Sequence, residues 1–140
     1  MKQLMLMIGL VAGVYATSFA QTNNKIIVKV EHINSAEGSI NVAIFNSEKT
    51  FLNTPFLTKS EDAKTGEMIF EFEEVPNGEY TISIYHDMNE NGELDKNLMG
   101  IPNEPYGVSK EGKSMFGPPS YKDALFTVEN MNVDLKISLD

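Results

Sequence analysis

Hydrophobic and polar residues alternate along most of the chain, as in β-strands that have one face on a core and the other in solvent. The first run, which begins near Ile26, continues the same face as far as His32. The pattern predicts five strands, with Leu125 to Val128 as a weaker sixth and Phe56-Leu57 as a short edge piece. The apolar positions of the five runs are Ile26, Val28 and Val30; Ile40, Val42 and Ile44; Met68, Phe70 and Phe72; Tyr80, Ile82 and Ile84; and Val133, Leu135, Ile137 and Leu139.

Turn-forming residues separate these runs, and no segment shows a convincing helical period. Ser35 to Gly38 lies between the first two runs, and Pro76-Asn77-Gly78 joins the third to the fourth. Short strands joined by tight turns are typical of antiparallel β-sandwiches. The sequence therefore predicts an all-β fold, an antiparallel β-sandwich of about seven strands, in a single domain over residues 21–140.

The segment from Asn97 to Ser120 breaks this rhythm. It is rich in proline and glycine and has no hydrophobic period. A long irregular loop in a compact domain is usually functional or disordered, and aromatic residues such as Tyr106, Phe116 and nearby Tyr121 argue against plain disorder. We expect a packed loop at one end of the sandwich.

The N-terminus has the features of a signal peptide. Lys2 gives a basic start, an apolar run extends from Leu4 to Ala16, and Ser18-Phe19-Ala20 offers small residues at a cleavage site. A membrane anchor is the alternative, but the apolar run is shorter than the roughly 20 residues that a bilayer requires. The sequence predicts a signal peptide over residues 1–20, export to the periplasm or the extracellular space, and no membrane span in the mature chain.

Composition narrows the partners. The chain has 20 Asp and Glu residues against 11 Lys, no Arg, and a formal net charge of −9. An acidic surface without arginine repels phosphate backbones, so nucleic acid is not expected as a partner, whereas cations are favoured. The alternative is that the charge only keeps the surface solvated. The absence of cysteine excludes thiol catalysis and thiolate metal sites.

The segment from Asp87 to Asp95, here called the acidic loop, places oxygen-bearing side chains at alternate positions and Gly92 at the sixth. This spacing matches the first nine positions of an EF-hand calcium loop. A tightly coiled backbone turns alternate side chains toward one centre, where a hard cation takes oxygen ligands at about 2.3–2.6 Å. The predicted ligands are the side chains of Asp87, Asn89, Asn91 and Asp95 and the backbone carbonyl of Glu93.

The acidic loop departs from the full pattern at its twelfth position, where Leu98 replaces the usual bidentate glutamate. Calcium takes roughly six to eight oxygen ligands, so water, Glu104 or Asp123 would complete the shell. Two charged ligands favour a weak, extracellular type of site, with a Kd of about 10⁻⁴–10⁻³ M. The alternative is a metal-free turn, because Asn91-Gly92 is also a strong hairpin dipeptide.

No catalytic constellation is recognisable. His86 ends the fourth run beside Asp87, where a histidine packed at the rim of the core is expected, and no serine has a nucleophile-elbow context. We therefore predict a non-enzymatic module with a structural calcium loop and an unknown protein or glycan partner. Two alternatives stay open: a metal-dependent envelope enzyme with His86 as acid or base, and a carbohydrate-binding module with Tyr85 or Tyr106 as an aromatic platform.

Several segments together resemble one bacterial family. The chain reads Val75-Pro76-Asn77-Gly78-Glu79-Tyr80 ahead of the acidic loop, and later Gly100-Ile101-Pro102 and Gly117-Pro118-Pro119-Ser120. From about Gly38 to its end it resembles DUF2141, a domain of unknown function. The resemblance implies a small exported domain of bacterial envelopes with a transthyretin-like or immunoglobulin-like sandwich. It implies no established activity.

Overall fold

A computed structural model describes residues 24–111 and 117–140. The predicted signal peptide, residues 1–20, and Phe116 lie outside the described residues. Within them the chain forms eight strands, one short α-helix and a 3-10 turn at Ser109–Glu111. The strands are β1 (Asn24–Ile33), β2 (Ser39–Phe45), β3 (Leu57–Asp62), β4 (Gly66–Val75), β5 (Gly78–Asp87), β6 (Tyr106–Val108), β7 (Phe126–Val128) and β8 (Val133–Ser138), and the helix is α1 (Tyr121–Ala124).

Two sheets pack face to face, which confirms the predicted β-sandwich. One sheet has the order β4-β1-β8, and the other has the order β3-β2-β5-β6, with β7 also paired to β5. The strand count is eight rather than about seven, because a short strand, β6, lies inside the segment that was predicted to be irregular. In the described part of the chain, no helix is long and apolar enough to cross a membrane.

Alternate side chains of the long strands fill the space between the sheets. In β1 the residues Ile26, Val28 and Val30 are fully buried, while Lys25, Ile27 and Lys29 are only partly buried. The other predicted runs alternate in the same way, with Val133 and Leu135 of the last run partly buried, so the alternation located the core correctly. The core also includes Ile33, Ile40, Val42, Ile44, Met68, Phe70, Phe72, Val75, Tyr80, Ile82, Ile84, Phe126, Val128, Ile137 and Leu139.

One strand pair is parallel rather than antiparallel. β1 lies between β4, which is antiparallel to it, and β8, which runs parallel to it with Ile26 opposite Val133 and Val30 opposite Ile137. Beyond β8, Asp140 and Tyr106 exchange two backbone hydrogen bonds of 3.3 Å, which join β6 of the other sheet to the C-terminal end. The sandwich is therefore closed along this side.

The free edge of β5 is covered by two short strands that meet end to end. β7 pairs with the start of β5, and β6 pairs with its middle. At the junction Ser109, which is fully buried, accepts a hydrogen bond from the Ile82 N–H at 2.9 Å and donates one to the Ala124 carbonyl at 2.5 Å. This side chain satisfies two backbone groups that the interrupted ladder leaves over.

His32 does not continue the buried face of β1, contrary to the sequence prediction. The register between β1 and β4 shifts between Val30 and Ile33, and His32 adopts a φ of 62°. Such a bulge inserts one extra residue and reverses the side-chain alternation beyond it. Ile33 consequently takes the buried position, and His32 is exposed.

Candidate functional site

The acidic loop begins where β5 ends, and β2 determines the position of its first residue. Ser39 of β2 lies opposite Asp87, the last residue of β5. Gly38, with a φ of 70°, comes so close that a β-carbon there would lie 2.0 Å from the Asp87 carbonyl oxygen. Only glycine fits this approach, so the turn before β2 and the start of the acidic loop form one rigid corner.

The Asp87 carboxylate is turned into the acidic loop. The residue is buried, and its two oxygens accept backbone hydrogen bonds from Asn91 at 3.2 Å and from Gly92 at 2.8 Å. A carboxylate oxygen has more than one acceptor direction, so each can serve a backbone amide and a cation together. Asp87, the first predicted ligand, therefore holds the backbone of the acidic loop in the tight coil that a calcium site would require.

The side chains of Asn89, Asn91 and Asp95 converge. The Asn89 amide nitrogen lies 2.6 Å from one Asp95 carboxylate oxygen, and the Asn91 amide nitrogen lies 2.7 Å from the other. The oxygens of these two amides accept backbone hydrogen bonds, that of Asn89 from the Asn91 N–H at 3.3 Å and that of Asn91 from the Glu93 N–H at 3.0 Å. An amide oxygen has two acceptor directions, so the three side chains bring two amide oxygens and a carboxylate into one short coil.

Glu93 is exposed, and its backbone N–H donates to the Asn91 side-chain oxygen at 3.0 Å. Its carbonyl as a ligand stays a prediction. Among the residues that the structure describes, no three Asp, Glu, His or Cys side chains are grouped so that they could hold a metal ion. The donor set of the acidic loop is instead two carboxylates and two amides, which suits a hard, oxygen-seeking cation and not a transition metal.

The two predicted additional ligands differ in their placement. Glu104 is buried beside the acidic loop, where its carboxylate accepts hydrogen bonds from the Met88 N–H at 2.9 Å and the Asp95 N–H at 3.1 Å. It fixes the two ends of the loop to each other. Asp123 lies on α1, which packs beside Ile82 through Ser109. Five strand residues at about 3.4 Å each separate that level from Asp87, about 17 Å in all, so the structure does not bring Asp123 to the loop.

His86 is packed against the core rim, as expected. It is 1% exposed, and its ring Nε2 lies 2.6 Å from the Glu37 carbonyl oxygen. Its backbone N–H donates to the Pro105 carbonyl at 2.9 Å. The ring is thus buried and held by the Glu37 carbonyl.

Two tyrosines lie close to the site and are only partly exposed. The Tyr85 hydroxyl donates to the Gly92 carbonyl at 2.9 Å and thereby ties the middle of the acidic loop to the outer face of the sheet. Burial raises the pKa of Tyr85 above its ordinary value, and the negative charges of Asp87, Glu104 and Glu93 raise it further. Tyr106 lies opposite Tyr85 in the register and is half-buried.

Tyr121, the third tyrosine considered as a contact residue, packs edge-on against Phe51, with ring centroids 5.4 Å apart.

An open cleft of about 440 Å³ lies at the same end of the sandwich. Its walls come from the end of β1 and the start of β4, and no residue of the acidic loop lines it. The lining residues are Glu31, His32, Ile33, Asn34, Thr65, Gly66 and Glu67. The cleft and the candidate ligands are therefore separate features.

Comparison with known proteins gives one match. Residues 28–136 match the family DUF2141, described as an uncharacterized protein conserved in bacteria. No curated protein and no solved structure matches the chain.

Proposed function

The chain belongs to the DUF2141 family, and from this premise we propose that it is an exported, non-enzymatic β-sandwich module whose acidic loop binds calcium as a structural ion. The observation that carries the proposal is the convergence of Asn89 and Asn91 on the Asp95 carboxylate, above a coil that Asp87 holds. A bare turn requires no such set of oxygen-bearing side chains.

Calcium would supply positive charge to a region where Asp87 and Asp95 lie within one short coil. The chain's own residues would provide two carboxylates, two amide oxygens and the Glu93 carbonyl, and water would complete the shell. Glu104 would keep the two ends of the coil together through the Met88 and Asp95 amides. The closed position of His86 supports a structural role for the ion rather than a catalytic one.

Thermal unfolding with calcium and with chelator tests the metal proposal. A ligand that binds only the folded state at ten times its Kd adds about 1.4 kcal/mol to the free energy of unfolding. Asp95→Asn is expected to lose this calcium-dependent gain while keeping most of its stability in chelator, because Asp95 is not fully buried. Asp134→Asn, an exposed residue of β8, makes the same change of charge and should keep the gain. Equal melting temperatures with and without calcium would refute the proposal.

Export makes a separate prediction. A chain expressed with residues 1–20 in a bacterial host should appear outside the cytoplasm with Gln21 as its first residue, because Ala20 ends the predicted cleavage site. Intact mass of the fractionated protein checks this. An Ala20→Lys variant should keep its signal segment, and recovery of an unprocessed wild-type chain from the cytoplasm would contradict export.

A further inference from the structure

The turn from Asn97 to Ile101, here called the apolar turn, exposes three large aliphatic side chains together. Leu98 is 108% exposed, Met99 84% and Ile101 54%. Single exposed apolar residues are ordinary, but three within four positions form a contiguous tip. The apolar turn lies at the end of the sandwich that carries the acidic loop.

The apolar turn is held in shape by its own hydrogen bonds. The side-chain oxygen of Asn97 accepts the N–H groups of Met99 at 2.9 Å and Ile101 at 3.0 Å. The Asn97 N–H donates to the Ile101 carbonyl, and Gly100, with a φ of 78°, donates to the Asn97 carbonyl. The exposure of the three side chains is thus a property of a built turn.

The base of the apolar turn is closed by a bridge and joined to the last residue of the acidic loop. Lys96 and Pro102 form a β-bridge, and the Asn103 N–H donates to the Asp95 carbonyl at 2.8 Å. These contacts use backbone groups and do not require an ion. The base of the apolar turn is therefore held by backbone contacts, one of them to Asp95 of the acidic loop.

The size and shape of the tip disfavour a protein partner. Three aliphatic side chains bury on the order of 300 Å², whereas a stable interface takes roughly 800 Å² from each partner. A second copy would also bring a second formal charge of −9. A small apolar tip can remove its whole apolar surface from water by entering the acyl chains of a lipid bilayer.

The charges around the tip fit a lipid surface. No residue from Asn97 to Asn103 is charged, and the base carries one residue of each sign, Asp95 and Lys96. An apolar tip above polar amides matches the change from acyl chains to headgroups at a bilayer interface. Because the whole chain is acidic, lipids with no net charge suit it better than anionic ones.

We infer that the apolar turn inserts into the interface of a lipid bilayer and docks the domain reversibly on a membrane. Leu98, Met99 and Ile101 enter the acyl boundary, and Lys96 stays among the headgroups. This goes beyond calcium binding and does not rest on it. Membrane docking and the calcium-dependent melting described above can succeed or fail independently.

Tryptophan fluorescence tests insertion directly, because the chain contains no tryptophan. Leu98→Trp should show a blue-shifted emission with phosphatidylcholine vesicles and quenching by lipids brominated in their acyl chains. Met131→Trp carries the probe on the turn between β7 and β8, at the opposite end of the sandwich, and should show neither. An unchanged Leu98→Trp spectrum, or equal responses from both variants, would overturn the inference.

Vesicle sedimentation measures the contribution of single side chains. Met99→Ser should weaken binding to phosphatidylcholine vesicles by about tenfold, because it removes one aliphatic side chain that would be buried in the bilayer. Met131→Ser, the matched control, should bind like the wild type in chelator and in calcium. Both substitutions are at exposed positions, and equal melting temperatures would verify folding. Absence of wild-type binding, or equal binding by the two variants, would refute membrane docking.

Discussion

At the scale of single residues, Glu104 determines how the acidic loop is supported. The sequence placed it near the loop as an extra metal ligand, and the structure gives it a further task, since its two oxygens hold the amides of Met88 and Asp95. Hydrogen bonds from backbone amides to a buried carboxylate contribute more to stability than hydrogen bonds between neutral groups. Glu104 therefore stabilises the acidic loop through these two bonds.

Two substitutions of Glu104 separate the effect of its hydrogen bonds from the effect of its charge. Glu104→Ala leaves two amides without their acceptor and should cost about 2–3 kcal/mol of unfolding free energy, whereas Glu104→Gln keeps one acceptor oxygen and should cost less. Urea unfolding in chelator measures both. The largest acceleration of hydrogen exchange in Glu104→Ala is expected at the amides of Met88 and Asp95. A cost below that of Glu104→Gln would contradict the role.

Spacing along the chain found the residues of the acidic loop because they are local. Asp87, Asn89, Asn91 and Asp95 lie within nine positions, and their convergence follows from the coiling of one segment. Spacing could not locate Asp123, because the level of β5 that faces α1 depends on the path of the chain past Ser109. The role of Ser109 could not be predicted from the sequence, because the sequence around a single serine does not show whether its hydroxyl bridges two elements or faces solvent.

At the scale of elements, alternation predicted the strands that have one buried face. β3 was predicted only as Phe56-Leu57, because it lies at a sheet edge and its residues after Leu57 are exposed, which leaves no hydrophobic period to detect. β6 is three residues long and was missed. Lys59 of β3 donates to the Glu71 carbonyl of β4 and covers the Phe72 ring, so it occupies an edge that could otherwise pair with another chain.

β5 carries a tyrosine whose ionisation links stability to alkaline pH. The Tyr80 side chain is buried, its hydroxyl donates to the Pro76 carbonyl at 2.8 Å, and burial raises its pKa. The same kind of contact forms the tyrosine corner of immunoglobulin-like sandwiches. A raised pKa in the folded state means that the unfolded chain releases its proton first as pH rises.

The contribution of Tyr80 to stability should therefore be constant below the ordinary tyrosine pKa of about 10 and should fall as pH rises above it. Tyr85 and Tyr121, whose pKa values burial also raises, act in the same direction. Tyr80→Phe should cost about 1 kcal/mol at neutral pH through the lost hydrogen bond, yet show a shallower alkaline decline. Urea unfolding across this pH range measures both, and an equally steep decline would contradict the assignment.

At the scale of the whole molecule, composition and alternation predicted the class of fold but not the strand pairings that join the two sheets. Which strands become neighbours depends on contacts between distant segments, and no local pattern shows that β1 pairs with β8. The C-terminal strand connects both sheets, since Tyr106 and Asp140 exchange backbone hydrogen bonds beside Gly107. We therefore expect the described domain to unfold as one cooperative unit.

Ile137 tests this cooperativity. It is buried on β8, so Ile137→Ala should lower the unfolding free energy by about 2–5 kcal/mol, while the adjacent exposed Lys136→Ala should change it by about 0.5 kcal/mol or less. Far-ultraviolet circular dichroism and tyrosine fluorescence should report one common transition in both variants. Separate transitions for the two probes would show that the sheets unfold independently.

The parallel pairing of β1 with β8 also has a consequence for the time course of folding. Ile26 and Val133 are partners although more than a hundred positions separate them, and loop closure over such a distance makes a high-contact-order fold slow. A growing chain has no second neighbour for its first strand until the last strand has been synthesised. If the chain is exported as proposed, this delay keeps it unfolded and able to be threaded until translocation is complete.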